Sequence, residues 1–343
     1  MSKIVKVFFV VAFIASLIGC ASGTSVSKNA PEWVTSADSV YNSAEYLNAV
    51  GSGQDRRSAE NDALSLLVRG IIQNVSAVSD ATKVISGSNE GGYETLYGYA
   101  ASIETVAVVE DIPGVNYREV WTASNGTVYV LAQINREEVG RYYRKQIDEQ
   151  TSVIESEIIY ANKNPGTFEA LAALGNAMDV AKENQKDIAM LAGIHPDMFR
   201  LVSPDYIGFE AVAVLYAREQ EKIKVAVRVV GDSGERIAGA FESVLSATGI
   251  RLVSQEEESR YLLNASVTMT EIEGNEKYEY VRYVLDAELL DSVTQKVLVP
   301  YTENGREAHI SQSEAQQRAY RTVEESVKKN YKPLLQEYLD SLR

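Results

Sequence analysis

The 343-residue chain is poor in the residues that usually carry chemistry. It holds one cysteine, Cys20, and two histidines, His195 and His309. A single cysteine excludes any disulfide within the chain, so stability must come from packing. A histidine-based metal site would need both histidines, and neither has an acidic residue at ligand spacing. His195, before Pro196, reads as a loop residue, and His309 as an exposed one at a strand-to-helix junction. No Gly-x-Ser-x-Gly elbow is present. Gly51-Ser52-Gly53 lacks the third glycine of a dinucleotide fingerprint and the Gly-Lys-Ser/Thr of a phosphate loop, which leaves a tight strand-to-helix turn. Glu256-Glu257-Glu258 lacks the spaced Asp/Asn/Gly ligands of a calcium loop and reads as a solvated acidic turn. Basic residues are scarce too: 33 Lys and Arg stand against 48 Asp and Glu, a net charge of −15 at pH 7. Such a balance argues against nucleic acid and against charge-driven docking on anionic lipid. No catalytic set, cofactor or metal is therefore expected, and the chain is not expected to be an enzyme.

What is present begins with the amino terminus. Lys3 and Lys6 precede a run, Val7 to Ile18, that is apolar except for Ser16. Its length suits a signal-peptide core and falls short of the ~20 residues that a spanning helix needs. The run ends in Leu17-Ile18-Gly19-Cys20, which resembles a bacterial lipobox. That resemblance implies diacylglyceryl transfer to the Cys20 sulfur, cleavage before Cys20 and acylation of the new amine. Two or more acyl chains anchor a protein stably where one does not. Ala21, rather than Asp, follows the cysteine, which in many diderm bacteria implies sorting to the outer membrane. Past Cys20 no apolar run approaches spanning length.

After a Ser/Gly/Lys-rich tether, Tyr46 to Gly53 reads as a strand. Ser58 is a plausible N-cap for a long helix, with Ala59, Ala63, Leu66, Leu67, Ile71 and Val75 at helical spacing. Gly87 to Gly92 reads as a loop, and Tyr93 to Val109 fits no single pattern. Val115–Thr122 and Thr127–Ile134 alternate apolar and polar residues around Asn125-Gly126, a strong hairpin signal. Arg136 opens another helix. This order resembles the LPP-twenty lipoprotein family and the amino-terminal domain of the flagellar assembly protein FlgT. The residues that carry the likeness are Pro31-Glu32-Trp33-Val34, Val50-Gly51-Ser52-Gly53, Ser58 with Ala59 and Ala63, Tyr117-Arg118-Glu119-Val120-Trp121 and Gly126 to Ile134. It implies a small envelope lipoprotein without an assigned reaction, in some members linked to flagella.

Val139 to Ala161 continues the helix, with Tyr143, Ile147, Ile154, Ile158 and Ala161 on one stripe. Asn162 to Gly166 breaks it. Phe168, Leu171, Leu174, Met178 and Ala181 form a second stripe, and Ile188, Met190 and Leu191 follow a polar gap, which together read as a helical hairpin. His195-Pro196 and Ser203-Pro204 bound an expected loop, and Ile207 to Ala217 suits helix or strand. Beyond it come a buried strand, Ile223–Val230; a helix, Glu235–Ala247, with Ile237, Phe241, Val244 and Leu245 inward; and a strand, Ile250–Val253. Ser254 could cap the acidic turn. Strands over Tyr261–Ile272, Tyr278–Asp291 and Lys296–Tyr301 follow. A closing helix, Ser313–Leu342, would turn Ala315, Ala319, Val323, Val327 and Leu334 inward, with a kink at Pro333. This order resembles the small α/β domains of CsgG-like envelope lipoproteins, penicillin-binding-protein activator lipoproteins and the amino-terminal domain of TolB. Ser259 to Val267 and Leu289 to Leu298 carry that likeness. The second stretch matches a D-x-x-T-G-K turn, with Gln295 in place of the glycine.

The expected fold class is therefore α+β: two small sheet-plus-helix domains joined by a helical hairpin, behind a lipoprotein signal peptide. The expected boundaries are 1–19 signal peptide, 20–30 lipidated tether, 31–145 first domain, 146–221 connector and 222–343 second domain. The twenty tyrosines are expected mostly on partly exposed sheet, and Tyr278, Tyr280 and Tyr283 are the candidate partner surface. The expected function is a non-enzymatic, lipid-anchored envelope protein, a structural or assembly factor with a flagellar or other envelope partner. It would sit on the outer membrane through Cys20, facing the periplasm, and an oligomer is compatible with it. The alternative is an accessory lipoprotein that docks on a cell-wall synthase or secretion pore.

Overall fold

The computed structural model describes residues 29–86, 112–202, 207–273 and 277–342. Cys20, the Gly87–Gly92 loop and the Tyr93–Val109 segment lie outside these. The α+β class is seen directly: helices surround two separate sheets. Compactness divides the described residues into one unit of residues 29–70 and 112–136, and another of residues 71–86 with those from 137 on.

In the first unit, two short helices, α1 (Glu32–Thr35) and α2 (Ala37–Val40), lead into β1 (Tyr46–Gly53). Trp33 on α1 is buried. The long helix α3 (Arg56–Ser86) follows, and then the hairpin β2 (Asn116–Thr122) and β3 (Val128–Asn135). The sheet order is β1-β3-β2, antiparallel throughout. The hairpin forms where Asn-Gly predicts it, with Gly126 at φ +87°. Asn125 caps the turn by accepting the Thr127 N–H at 3.1 Å. Asp55, not Ser58, caps α3: its carboxylate accepts the Ser58 N–H at 2.7 Å and the hydroxyl at 2.8 Å. Aspartate beats serine here because a full negative charge also favours a helix N-terminus, and the hydrogen bonds from Ser58 hold the Asp55 carboxyl below its usual value.

The reason for glycine at position 51 is proximity. A Cβ there would lie 2.0 Å from the Ala63 backbone nitrogen and 2.4 Å from the Ala59 carbonyl oxygen. With Ala59 and Ala63 fully buried, backbone meets backbone where α3 crosses β1. The next N–H, that of Ser52, is taken by the Asp62 carboxylate at 2.8 Å. A side-chain carboxylate thus occupies the place a phosphate would need, which agrees with a packing turn.

In the second unit, α4 (Arg136–Lys163) and α5 (Phe168–Ile194) are followed by α6 (Pro196–Val202) and α7 (Phe209–Lys222). Thr167 caps α5 by accepting the Ala170 N–H at 2.9 Å. The turn before it is held by the buried Glu219, which accepts the Gly166 N–H and pairs with Lys222 Nζ at 2.7 Å. α5 is buried along most of its length, and its polar gap is no gap. Asn184 and Gln185 are buried, and Asn184 donates to Thr151 on α4 at 3.1 Å. Gly193 gives a second close crossing, where a Cβ would lie 2.5 Å from Ile71 Cγ2. The expected loop after His195 is helical instead: Pro196 suits the first helical position, and His195 Nδ1 accepts the Met198 N–H at 3.3 Å.

The sheet of this unit holds β4 (Lys224–Val230), β5 (Arg251–Leu252), β6 (Tyr261–Ile272), β7 (Glu279–Asp291) and β8 (Lys296–His309) in the order β5-β4-β6-β7-β8. β4 runs parallel to both neighbours, and β7 runs antiparallel to β6 and to β8. One face packs on α8 (Arg236–Ala247), α9 (Gln312–Ser326), a π turn (Val327–Tyr331) and α10 (Lys332–Asp340). Phe168 and Leu171, in the segment expected to connect domains, belong to this core. The Phe168 ring lies 4.3 Å from the Tyr261 ring, and the Phe168 N–H donates to the Tyr261 hydroxyl at 3.0 Å. Burial of that hydroxyl raises its pKa to about 12.

The π turn explains a shift in the closing helix. Buried positions run in steps of four, at Ala315, Ala319, Val323, Val327, Tyr331 and Leu335. In an α-helix each such step drifts by about 40°, and the wider π turn takes up part of that drift. Hence Leu335 is fully buried and Leu334, expected inward, is 37% exposed. The turn also frees the carbonyl of Lys329 from a clash with the ring of Pro333, so the expected proline kink is a π turn placed just ahead of it.

The two glycine environments make opposite expectations. Gly51→Ala should destabilise the protein by at least ~2 kcal/mol, because backbone atoms cannot yield to the new methyl. Gly239→Ala, inside α8 with open space around its Cβ, should stabilise it by about 0.5–1 kcal/mol. Chemical unfolding of the two variants beside the parent chain checks both signs.

Candidate functional site

Strand residues alternate between two faces; in the second sheet the helices cover one face, while the other is buried only at one end, at Ala226 and Leu262, and is open beyond them. Val281, Tyr283, Leu285, Ala287 and Leu289 of β7 point into the core, as do Leu263, Ala265 and Val267 of β6. The alternate residues form the other face, and register places them in cross-strand rows. Arg228, Asn264, Glu288 and Pro300 make one row, and Val230, Ser266, Asp286 and Thr302 the next. Thr268, Val284 and Asn304 follow, then Thr270, Arg282 and Arg306, and last Ile272, Tyr280 and Ala308. The first two rows line a depression of about 820 Å³.

Charge is segregated along this face. Asp286 and Glu288 mark the depression. Arg228, at its edge, is engaged with Asn264 Oδ1 at 3.1 Å and Glu256 at 3.2 Å. Two rows away, Arg282 stands directly opposite Arg306, and both are exposed. The Arg306 guanidinium lies 5.7 Å from the Tyr280 ring centroid. No ion pair holds either arginine among the described residues.

The candidate partner tyrosines separate. Tyr278 is 45% exposed and Tyr280 is half-buried on the open side, but Tyr283 is 6% exposed and belongs to the core. Residues 280 and 283 differ by an odd number, so a strand must send them to opposite faces. Nor is β7 an edge, since β6 and β8 flank it. Tyr283 has a specific neighbour instead: a Cβ at Gly305 would lie 2.3 Å from its hydroxyl oxygen. Part of the tyrosine bias is spent inside, because Tyr143, Tyr261, Tyr301, Tyr320 and Tyr331 are buried as well. The row Arg282–Arg306 was not singled out in the sequence; the like-charge pairing across β7 and β8 becomes visible only with register.

The histidines sit apart from this face. His195 Nε2 lies 3.2 Å from Glu137, a structural contact beside its capping role. His309 ends β8 and is half-buried, against the exposed position expected, with Nδ1 enclosed. Among the described residues no three of His, Cys, Asp and Glu are grouped to hold a metal ion, and no helix is long and apolar enough to cross a membrane. Glu256–Glu258 is a short 3-10 turn without a side-chain cap, so Ser254 does not serve as one.

The β7–β8 turn carries the D-x-x-T-G-K likeness. Asp291 is buried, with Arg260 Nη2 at 2.8 Å from Oδ2, and its Oδ1 accepts the N–H groups of Val293 at 2.9 Å and Thr294 at 3.3 Å. Burial pushes the Asp291 carboxyl up, but Arg260 and the two N–H groups outweigh it and hold the value below the usual carboxylate range. A carboxyl lowered in this way stabilises the fold above its unfolded pKa and loses that contribution as pH falls through the folded value. Gln295 takes φ +59°, the conformation that glycine at this position would adopt freely. Gln295→Gly should therefore raise stability by about 1 kcal/mol, read from denaturant midpoints at neutral pH. Asp291→Asn should lower stability at pH 7 and flatten its decline in acid, read from the same midpoints between pH 7 and 3.

Comparison with curated proteins finds no significant match. Among solved structures, the secreted protein HP1454 from Helicobacter pylori is similar at 13% identity and a TM-score of 0.38, covering 83% of this chain and 98% of that one. A minor lipoprotein from Acinetobacter baumannii matches at 14% identity and a TM-score of 0.25, over 34% of this chain and 91% of its own. Lipoprotein GNA1162 from Neisseria meningitidis matches at 13% and 0.22, over 30% and 96%. Likenesses this loose carry no inference about function. The amino-terminal part is more specific: residues 31–135, which hold β1 and the β2–β3 hairpin, match the model of the LPP20 lipoprotein family.

Proposed function

We propose that this chain is a lipid-anchored protein of the cell envelope that works by binding, as a structural or assembly factor. The observation that carries the reading is the match of residues 31–135 to a lipoprotein family, a few residues after Leu17-Ile18-Gly19-Cys20. Either alone is a short signal. Together they support the reading of Cys20 as an acylated cysteine ahead of a lipoprotein-type domain, separated from it by a tether rich in Ser, Gly and Lys. The acidic balance of the chain fits an anchor that is hydrophobic rather than electrostatic. The outer membrane, with the folded units facing the periplasm, is the location this reading favours, and a flagellar structure is one partner it accommodates. An accessory role, docking on a synthase or a secretion pore, draws support from the exposed sheet face of the second unit.

Replacing Cys20 by Ser in the full chain tests the anchor. The expected outcome on cell fractionation is transfer from the membrane to the soluble fraction, together with loss of metabolic labelling by radioactive palmitate. A parent chain that takes up no label, or a membrane pool that the substitution leaves unchanged, would remove the lipoprotein reading.

A further inference from the structure

The open face of the second sheet pairs two features that are unfavourable alone. Arg282 and Arg306 are directly opposite each other on neighbouring strands, a like-charge arrangement that costs stability. Asp286 lies one row beyond Val284 on the same face, and Glu288 one row beyond that, with no cation bound to either among the described residues. The strand order of charge on β7 is thus Arg282, Val284, Asp286, and it is reversed about Val284.

We infer that this face is a self-docking surface, on which a second copy of the chain packs face to face across a two-fold axis. The axis runs along the row Thr268–Val284–Asn304. Rotation about it reverses strand direction and keeps each strand over its own equivalent. Arg282 then meets Asp286 of the second copy, and Asp286 meets Arg282, so that one complementary pair occurs twice, as an isologous interface requires. Tyr280 falls over Glu288 and the depression beside it, and Arg306 falls over Thr302. Val284 meets its own equivalent at the axis. A small anion would satisfy the arginines and leave the acidic rows unanswered, whereas a second copy sets Arg282 against Asp286 at two equivalent contacts. The face is modest. Four strands about 4.8 Å apart and five rows about 6.8 Å apart span roughly 600 Å², under the about 800 Å² per partner of a standard interface. The dimer is accordingly weak and concentration-dependent. This inference does not rest on the lipid anchor, and its test is built to be independent of it.

The test uses the full chain with Cys20→Ser and Val284→Cys, so that position 284 carries the only thiol and acylation is irrelevant. Under mild oxidation the expected product is a disulfide-linked dimer whose yield rises with protein concentration. Adding Arg282→Asp should cut the rate of crosslinking about tenfold, the order expected from placing two carboxylates together at both symmetric contacts. Adding Asp286→Arg to that variant should restore the rate. Circular dichroism should be the same for all variants, since both positions are exposed. A chain that stays monomeric at every concentration overturns the inference. So does crosslinking that ignores the charge reversal, or a thiol that couples only to a different protein.

Discussion

The second sheet is committed to one face. Every odd-numbered residue of β7 from Val281 to Asp291 is buried, and the matching residues of β4, β6 and β8 join it beneath α8, α9 and α10. Burying side chains such as Phe241, Leu263, Leu285 and Leu289 supplies about 2 kcal/mol or more each, and a register slip of one residue would expose all of them at once. The covered face therefore fixes the register, and the register fixes which residues face outward. The alignment of Arg282 with Arg306 is a by-product of a core that tolerates no other pairing. Selection can choose the outward residues freely only because the inward ones hold the strands still.

Close backbone contact plays the corresponding role elsewhere. In the first unit, α3 lies on β1 at the distance set by Gly51, Ala59 and Ala63. In the second, Gly193 lets α5 approach the Ile71–Val75 stretch, and Asn74 donates to the Gly193 carbonyl at 2.8 Å. These crossings bury little side-chain volume, so they gain stability through shape and dispersion. They explain why α5 is so rich in alanine: a helix buried along most of its length needs small residues wherever a neighbour comes near.

Much of this was legible. β1, the β2–β3 hairpin, α4, β4, α8 and the long strands β6 and β7 follow from periodicity and turn residues, because each buries one face and exposes another. Four things were not legible, for physical reasons. Asn184 and Gln185 read as a polar gap, since a buried amide that donates across a helix pair looks no different in sequence from one in water. His195-Pro196 reads as a break, although proline is welcome at the first position of a helix. Tyr283 reads as one tyrosine face with Tyr278 and Tyr280, where the parity of the numbering sends it to the other side. The extension of β8 from Tyr301 to His309 lacks an apolar pattern, and its residues are ordered by nine partners on β7 rather than by burial. The open face belongs with these: single charged residues carry no signal until two strands are set side by side.

The pairing inferred for this polar face and the lipid proposed at Cys20 bear on each other. An interface near 600 Å² with exposed ion pairs gains little in bulk solution, where each such pair contributes about 0–1 kcal/mol and association costs several times that. Confinement to a membrane surface changes the entropic term and leaves the contacts alone, raising the effective concentration of neighbouring copies to the millimolar range. The weakness then has a consequence. Copies that pair only when crowded will assemble where something else gathers them and separate where it does not. The acidic remainder of the chain opposes indiscriminate clustering through repulsion. A protein tethered and pairing in this way would respond to local density, and a stronger, drier interface would remove that response.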